Sequence, residues 1–256
     1  MSEQNTVLTE RREAITVLTV SRPRARNAID LPTARALEAA VDEFEADDTA
    51  RVLVLTGAGD TFSAGMDLVA AARGEMPMTQ RRGPLGITAK PPVKPMISAV
   101  EGFALAGGFE LALAGDLIVA ARNAQFGIPE VKRGLVAVGG GVLRLSQRLP
   151  RSTAAELALT GGRIGAERLY QLGLVNRLTE PGGALEVALE LAGEIAAAAP
   201  LAVAASKRII DESPDWSTEE AFAKQGEIAL PALISKDAAE GALAFAEKRE
   251  PRWQGR

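Results

Sequence analysis

The chain has 256 residues, 47% of them hydrophobic, a net charge of −4, and neither histidine nor cysteine. The apolar share excludes a disordered chain, the missing thiols and imidazoles remove disulfides and the commonest zinc ligands, and the acidic balance argues against general nucleic-acid binding. Acid–base chemistry must therefore rest on carboxylates, lysines or the single tyrosine, Tyr170. No apolar run approaches the roughly 20 residues of a membrane helix. The most apolar stretch, Leu185 to Ala199, is broken by Glu186, Glu190 and Glu194. Met1-Ser2-Glu3-Gln4-Asn5 lacks the charged-then-apolar pattern of a signal peptide, so the expectation is a cytoplasmic protein with no membrane partner.

Taken in order, residues 7–20 alternate around Glu10-Arg11-Arg12-Glu13 and predict an opening hairpin. Arg22 to Asp30 is a loop, and Leu37, Val41 and Phe44 give Leu31 to Ala46 a helical period. Arg51 to Thr56 predicts a strand ending in the turn Gly57-Ala58-Gly59-Asp60, after which Gly65 to Arg73 predicts helix. Position 62 is Phe62, so Gly57-x-Gly59 lacks the third glycine of a dinucleotide fingerprint. Gly74 to Pro95 has no period and predicts a mobile, solvated loop or lid.

Pro95 to Val100 predicts a buried strand and Gly107 to Ala114 an apolar helix starting on glycines; Asp116 to Ala120 and Gln125 to Gly127 predict a strand and an edge strand. Gly139-Gly140-Gly141 opens a helix through Gln147, its glycines expected to serve close helix packing. Thr153 to Glu156 and Ser217 to Glu220 fit capping boxes, and beyond Leu178 the pattern is helical, divided at Pro200. Strand alternating with helix predicts an α/β core followed by a helical C-terminal part. Strand, glycine turn and helix recur weakly, as Val52…Ser63-Ala64-Gly65-Met66-Asp67-Leu68 and Ile97…Ala106-Gly107-Gly108-Phe109-Glu110-Leu111.

Two glutamates stand out. Glu110 lies in the first turn of the glycine-opened helix, where free N–H groups and a partial positive charge suit a developing oxyanion. Gly107 lets a ligand approach that backbone closely. Glu130 follows Pro129. Either one alone reads as an ordinary helix-start charge.

The segments Thr61-Phe62-Ser63-Ala64-Gly65-Met66-Asp67-Leu68 and Gly102-Phe103-Ala104-Leu105-Ala106-Gly107-Gly108-Phe109-Glu110-Leu111-Ala112 together resemble the two signatures of the crotonase (enoyl-CoA hydratase/isomerase) superfamily. Arg22-Pro23-x-Ala25-Arg26-Asn27-Ala28, Ala124 to Glu130 and Glu240 to Arg249 extend the likeness across the chain. The resemblance implies a spiral of ββα units over residues 1–198 and a C-terminal helical oligomerisation region over 199–256, assembled as a homotrimer or a dimer of trimers. It implies an acyl-CoA thioester substrate, no cofactor, no metal and no nucleic acid. By similarity, the backbone N–H groups of Met66 and Gly107 form the oxyanion hole, Glu110 orients and deprotonates a water, and Glu130 protonates the α-carbon.

Hydratases keep both carboxylates and isomerases commonly manage with one, so the resemblance implies hydration of a trans-2-enoyl-CoA. Arg24, Ala25, Arg26, Ala64, Asp67, Leu68 and Val138 map to CoA or substrate contacts. Phe245 and Lys248 map to the helix by which a neighbouring subunit completes the CoA site. Phe109 departs from the small residue or cysteine common among hydratases. Gly108 to Leu111, Gly140 to Leu145 and Phe245 to Arg256 look especially like the carnitinyl-CoA dehydratase branch. Dehydratase and isomerase are therefore same-class alternatives. A silent acyl-CoA-binding regulator is the alternative of another class.

Overall fold

The computed structural model describes residues 5–256, so four of the five residues read for a signal pattern lie outside it. In chain order the elements are β1 (Val7–Arg12), β2 (Ile15–Val20), α1 (Leu31–Ala46), β3 (Val52–Gly57), α2 (Leu68–Ala71), β4 (Met78–Thr79), β5 (Gly83–Pro84) and β6 (Met96–Val100). Next come β7 (Phe103–Leu105), α3 (Gly107–Ala114), β8 (Leu117–Ala121), β9 (Gln125–Gly127), α4 (Gly141–Arg148), α5 (Arg151–Thr160), β10 (Ile164–Gly165), α6 (Ala166–Gln171) and β11 (Arg177–Thr179). The chain closes with α7 (Ala184–Ala196), α8 (Pro200–Glu212), α9 (Thr218–Leu233) and α10 (Lys236–Glu247).

The opening hairpin pairs antiparallel, with Val7 opposite Val20. From β2 onward the main sheet is parallel, in the order β1-β2-β3-β6-β8-β11. Both faces are covered, which is why its strands read as unbroken apolar runs. Leu53 and Leu55 join Leu18, Met96 and Ile118 on the face that carries α1 and α3. Val52 and Val54 join Val17, Ile97 and Val119 on the other, beneath Ala184, Ala188 and Ala192 of α7. An alanine every fourth residue makes a smooth stripe on which a helix can lie close to a sheet.

A second row of strands makes the spiral. Ser63 bridges Ala104 of β7, β7 runs parallel to β9, and β9 pairs with β10. Strand, short second strand and helix thus repeat at β3–Ser63–α2 and β6–β7–α3, with β8–β9 beginning a third unit. This is the physical origin of the weak internal echo. It also corrects β9, which is central in its three-stranded sheet and not an edge.

Other expectations change. Helix does not begin at Gly65; it is confined to α2, because Met66 is bridged to Ile29 and Asp67 is extended. The Gly74–Pro95 segment is packed rather than a mobile lid: Leu85, Ile87 and Thr88 are buried. Arg82 is buried too, bonding the Asp42 carboxylate and the Lys90 carbonyl. Thr153 caps nothing, since α5 starts at Arg151 behind Pro150. Ser217 does cap α9, accepting from the Glu220 N–H.

At the C-terminal end, Lys207 of α8 donates to the carbonyls of Pro92 and Lys94 and to the Asp116 carboxylate at 2.8–3.1 Å, fastening that helix to the core. The chain end folds back on α10. Asp237, 2% exposed, accepts from the N–H groups of Gln254 at 2.6 Å and Gly255 at 2.9 Å. Asp237→Ala leaves those donors without their acceptor and is expected to cost about 1–3 kcal/mol. Urea unfolding measures this, and protease nicking near Trp253 reports the released tail.

Candidate active site

The site is built where two turns of the spiral cross. Buried Asn27 accepts from the Arg22 N–H and donates to the carbonyls of Ala58 at 2.9 Å and Thr61 at 2.6 Å, tying the arginine loop to the turn after β3. Ser63 donates to the Asn27 carbonyl at 2.8 Å and accepts from the Gly65 N–H at 3.1 Å. Ile29 takes the carbonyl of Gly65 and the N–H of Asp67. Between them the Met66 N–H has no hydrogen bond among the described residues, and the Gly107 N–H has none either.

These two donors belong to neighbouring pieces of backbone. Gly65 sits at φ +90°, and a methyl there would lie 2.6 Å from the Gly107 nitrogen. Only glycine lets the two backbones come that close. Ala106, just before Gly107, adopts φ 53° and ψ −129°, a region in which a side chain costs about 1–3 kcal/mol. Its N–H donates to the Gly127 carbonyl at 2.8 Å, so β9 holds it there.

Glu110 is 5% exposed in the first turn of α3. One carboxylate oxygen, Oε1, accepts from the Gly141 N–H at 2.9 Å. A methyl on Gly139 would lie 2.7 Å from the other oxygen and one on Gly141 3.0 Å from Oε1, so these glycines let the start of α4 pack close to α3 and admit its carboxylate. Glu130 stands on the 3-10 turn Pro129–Arg133 that follows β9. Its Oε2 is buried and has no partner among the described residues. The rings of Phe109 and Phe126 pack 5.1 Å apart, joining the helix of Glu110 to the strand that leads to Glu130. The departure at Phe109 thus fills a core position.

The chain matches the enoyl-CoA hydratase/isomerase family over residues 10–256. It belongs to that family. Carnitinyl-CoA dehydratase of Salmonella arizonae is 46% identical over 93% of this chain and 94% of its own. An enoyl-CoA hydratase structure from Mycobacterium tuberculosis H37Rv is 56% identical, with TM-score 0.97, over 99% of this chain and 100% of its own. A carnitinyl-CoA hydratase structure from Mycobacterium avium is 42% identical, with TM-score 0.79, over the same shares. The fold is accordingly the crotonase fold.

In this family member the two carboxylates differ in their surroundings. Burial raises the Glu110 carboxyl above its ordinary range, and the N–H groups of Gly141 and Gly139 and the charge of Arg144 pull against that. Burial raises Glu130 as well. Its own N–H opposes the shift, the Glu110 charge adds to it, and Arg133 opposes it weakly. Glu110 thus carries the larger set of contacts that favour the charged form.

Arg144, which sequence analysis missed, donates to the Thr88 carbonyl at 2.7 Å and the Gly139 carbonyl at 3.3 Å. Its one mark in the sequence is its place, a single turn into a glycine-opened helix. Around the crossing, Arg24 and Arg26 are exposed and Ala25 is partly so. The Ala64 N–H donates to the Arg26 carbonyl at 3.0 Å, bringing that loop to the Gly65–Met66 segment. Asp67 does local work: it caps α2 and pairs with Arg22 at 3.0 Å. Burial pushes its carboxyl up, but the Ala70 N–H, Arg22 and the Val69 N–H together hold it below the usual range.

Leu68 and Val138 present exposed side chains. Phe245 is 88% exposed and Lys248 closes α10 in a left-handed conformation. Among the described residues, no group of three or more carboxylates is placed to hold a metal.

The raised Glu130 carboxyl has a stability consequence. A folded-state value above the ordinary 4.5 means the stabilising contribution is complete below pH 4.5 and is lost as pH climbs through the raised value. Glu130→Gln is therefore expected to unfold at a higher temperature than the parent at pH 8, with the gap closing toward pH 4. Thermal melts across that range check it, and a gap that widens on acidification would contradict it.

Proposed function

We propose that the protein is a hydro-lyase adding water reversibly and syn across a trans-2-enoyl-CoA to give a 3-hydroxyacyl-CoA. The observation that carries this reading is the unlike pair: Glu110 held by backbone N–H groups, Glu130 half-buried with an unpartnered carboxylate oxygen. The thioester carbonyl would accept from the N–H groups of Met66 and Gly107, whose loss in comparable sites costs about 3 kcal/mol. Ionised Glu110 takes a proton from water as its oxygen bonds the β-carbon. The electron pair moves onto the thioester as an enolate, and protonated Glu130 delivers a proton to the α-carbon. Water is thereby added whole, and exchange with solvent restores the pair. The reading includes a cytoplasmic location and no metal or organic cofactor.

Carnitinyl-CoA dehydratase is the second reading, favoured by the Salmonella arizonae and Mycobacterium avium relatives. It uses the same chemistry on crotonobetainyl-CoA, whose trimethylammonium calls for aromatic or acidic neighbours. Aromatic residues make up 4% of the chain, and Phe62, Phe109 and Phe126 are spent in the core. A hydration assay over short, long and betaine-bearing enoyl-CoA thioesters separates the readings. Double-bond migration without hydration identifies an isomerase, and no turnover with any thioester a silent binder. Glu110→Gln and Glu130→Gln are each expected to lower the rate on the best substrate by about two to four orders of magnitude, with acyl-CoA still bound. Near-parent turnover in either variant would end the two-carboxylate mechanism.

The reading also includes assembly as a homotrimer or a dimer of trimers through residues 199–256. What supports it is surface: α9 has no buried residue, and Phe222, Leu233, Ile234 and Phe245 stand exposed around it. Sixteen residues of helix with no buried face call for a partner. Leu233→Asp combined with Ile234→Asp is expected to yield monomers and to weaken CoA binding about tenfold, since Phe245 and Lys248 would complete a neighbour's CoA site. Light scattering and a CoA titration read the two effects, and a stable trimer with parent affinity contradicts both.

A further inference from the structure

Arg144 is a half-buried cation beside the turn that holds Glu110, and its contacts are specific. Its Nη2 donates to the Thr88 carbonyl at 2.7 Å and its Nη1 to the Gly139 carbonyl at 3.3 Å. Thr88 belongs to the packed 74–95 segment and is itself buried, its hydroxyl bonded to the Pro84 carbonyl. Gly139 belongs to the turn that ends in the Gly141 N–H, the donor to Glu110. Between them Gly140 stands at φ +95°, and a methyl there would lie 2.2 Å from Nη1 of Arg144. The turn is therefore shaped around the guanidinium as well as around the carboxylate.

We propose that Arg144 is the positioning residue of the Glu110 carboxylate: it clamps the Gly139–Gly141 turn to the Thr88 backbone and so sets where the Gly141 N–H meets Glu110. The assignment rests on the hydratase reading for what Glu110 does. A guanidinium suits the task because its planar fork holds two carbonyls in a fixed mutual geometry, which a freely rotating ammonium does not. It adds a charge as well. The groups that face it are Glu110 on α3, Asp211 on α8 and Arg148 one turn further along α4; Glu110 in turn faces Glu130. Burial makes the cation less comfortable, and the two carboxylates offset that only in part.

The effect on pH dependence has a definite sign. The Arg144 charge favours ionised Glu110, so removing it raises the carboxyl further. The acid limb of the rate profile, which belongs to the Glu110–Glu130 pair, then moves to higher pH.

Full-length parent, Arg144→Met and Arg144→Lys are compared by kcat, KM and the pH profile of kcat/KM on the best enoyl-CoA. Arg144→Met is expected to lose about 10–100-fold in kcat with KM within about twofold and an acid limb at higher pH. Arg144→Lys is expected to restore the limb and only part of kcat, because charge returns without the fork. Parent kcat and limb in Arg144→Met would overturn the proposal. So would a loss of rate in both variants with an unmoved limb, which a merely structural role produces. Should Arg144→Met fail to fold, Arg144→Lys against parent decides by the kcat-to-KM split. A parent with no hydration activity on any thioester would refute the hydratase reading. The proposal would then be judged by the crystal structure of Arg144→Lys, with an unmoved 139–141 turn and Glu110 overturning it.

Discussion

The close approach of two backbone segments, at Gly65 and at Gly107, is the constraint on which the site depends. A methyl on Gly65 would meet the Gly107 nitrogen at 2.6 Å, so this spacing exists only with glycine. Much of the surrounding polar structure works to keep it. Asn27 and Ser63 bind the first segment through buried side-chain hydrogen bonds, and the Gly127 carbonyl anchors the second through Ala106. The parallel pairing of β3, β6 and β8 brings the segments together, because each strand delivers its following turn to the same end of the sheet. Brought to that end, free backbone donors become a place for negative charge.

Helix α3 converts this crossing into chemistry. It supplies the Gly107 N–H from its start and Glu110 from its first turn, so both features move as one body. Strain at Ala106 and the desolvation of two carboxylates oppose folding here. Burial of all eight residues of α3 offsets them, and Arg148 closes its far end by donating to the carbonyls of Leu113, Gly115 and Asp116 at 3.0–3.3 Å. Arg144 and Arg148 are one turn apart on α4, which is why a single helix can hold both the carboxylate end and the carbonyl end of its neighbour.

The α/β alternation, the opening hairpin, α1, α3 and α4 were legible because apolar periodicity and glycine placement are local signals. The second row of strands was not. Phe103–Leu105 and Ile164–Gly165 are three and two residues long, below the length at which alternation can be read. Arg82 and Lys94 looked solvated because charge usually is; the burial of Arg82 and half-burial of Lys94 depend on Asp42 and on the carbonyls of Phe44 and Asp47, far away in sequence. Glu110, Glu130, Met66 and Gly107 became candidates through the family resemblance joined to helix-start reasoning. Arg144 escaped because its partners are backbone carbonyls, which carry no sequence identity. The same holds for Asn27, whose value lies in three main-chain contacts.

That reliance on backbone explains why members of this family can share a fold while carrying different names. On the proposed reading the oxyanion donors are the N–H groups of Met66 and Gly107; the anchor of Glu110 is the Gly141 N–H, and any side chain the local geometry tolerates leaves an N–H in place. Two carboxylates then suffice as reacting side chains, even in a chain without histidine. The side chains bordering the crossing are free to vary with the acyl group. Leu85 is one such border: it is buried at φ 55°, and its Cδ1 lies 2.8 Å from where a methyl on Gly107 would stand. Beyond the short β4–β5 pair, its segment is held by Arg82, Thr88 and Arg144. A change in that segment can therefore reshape the wall beside Gly107 while the sheet, the glycine crossing and the carboxylate pair stay fixed.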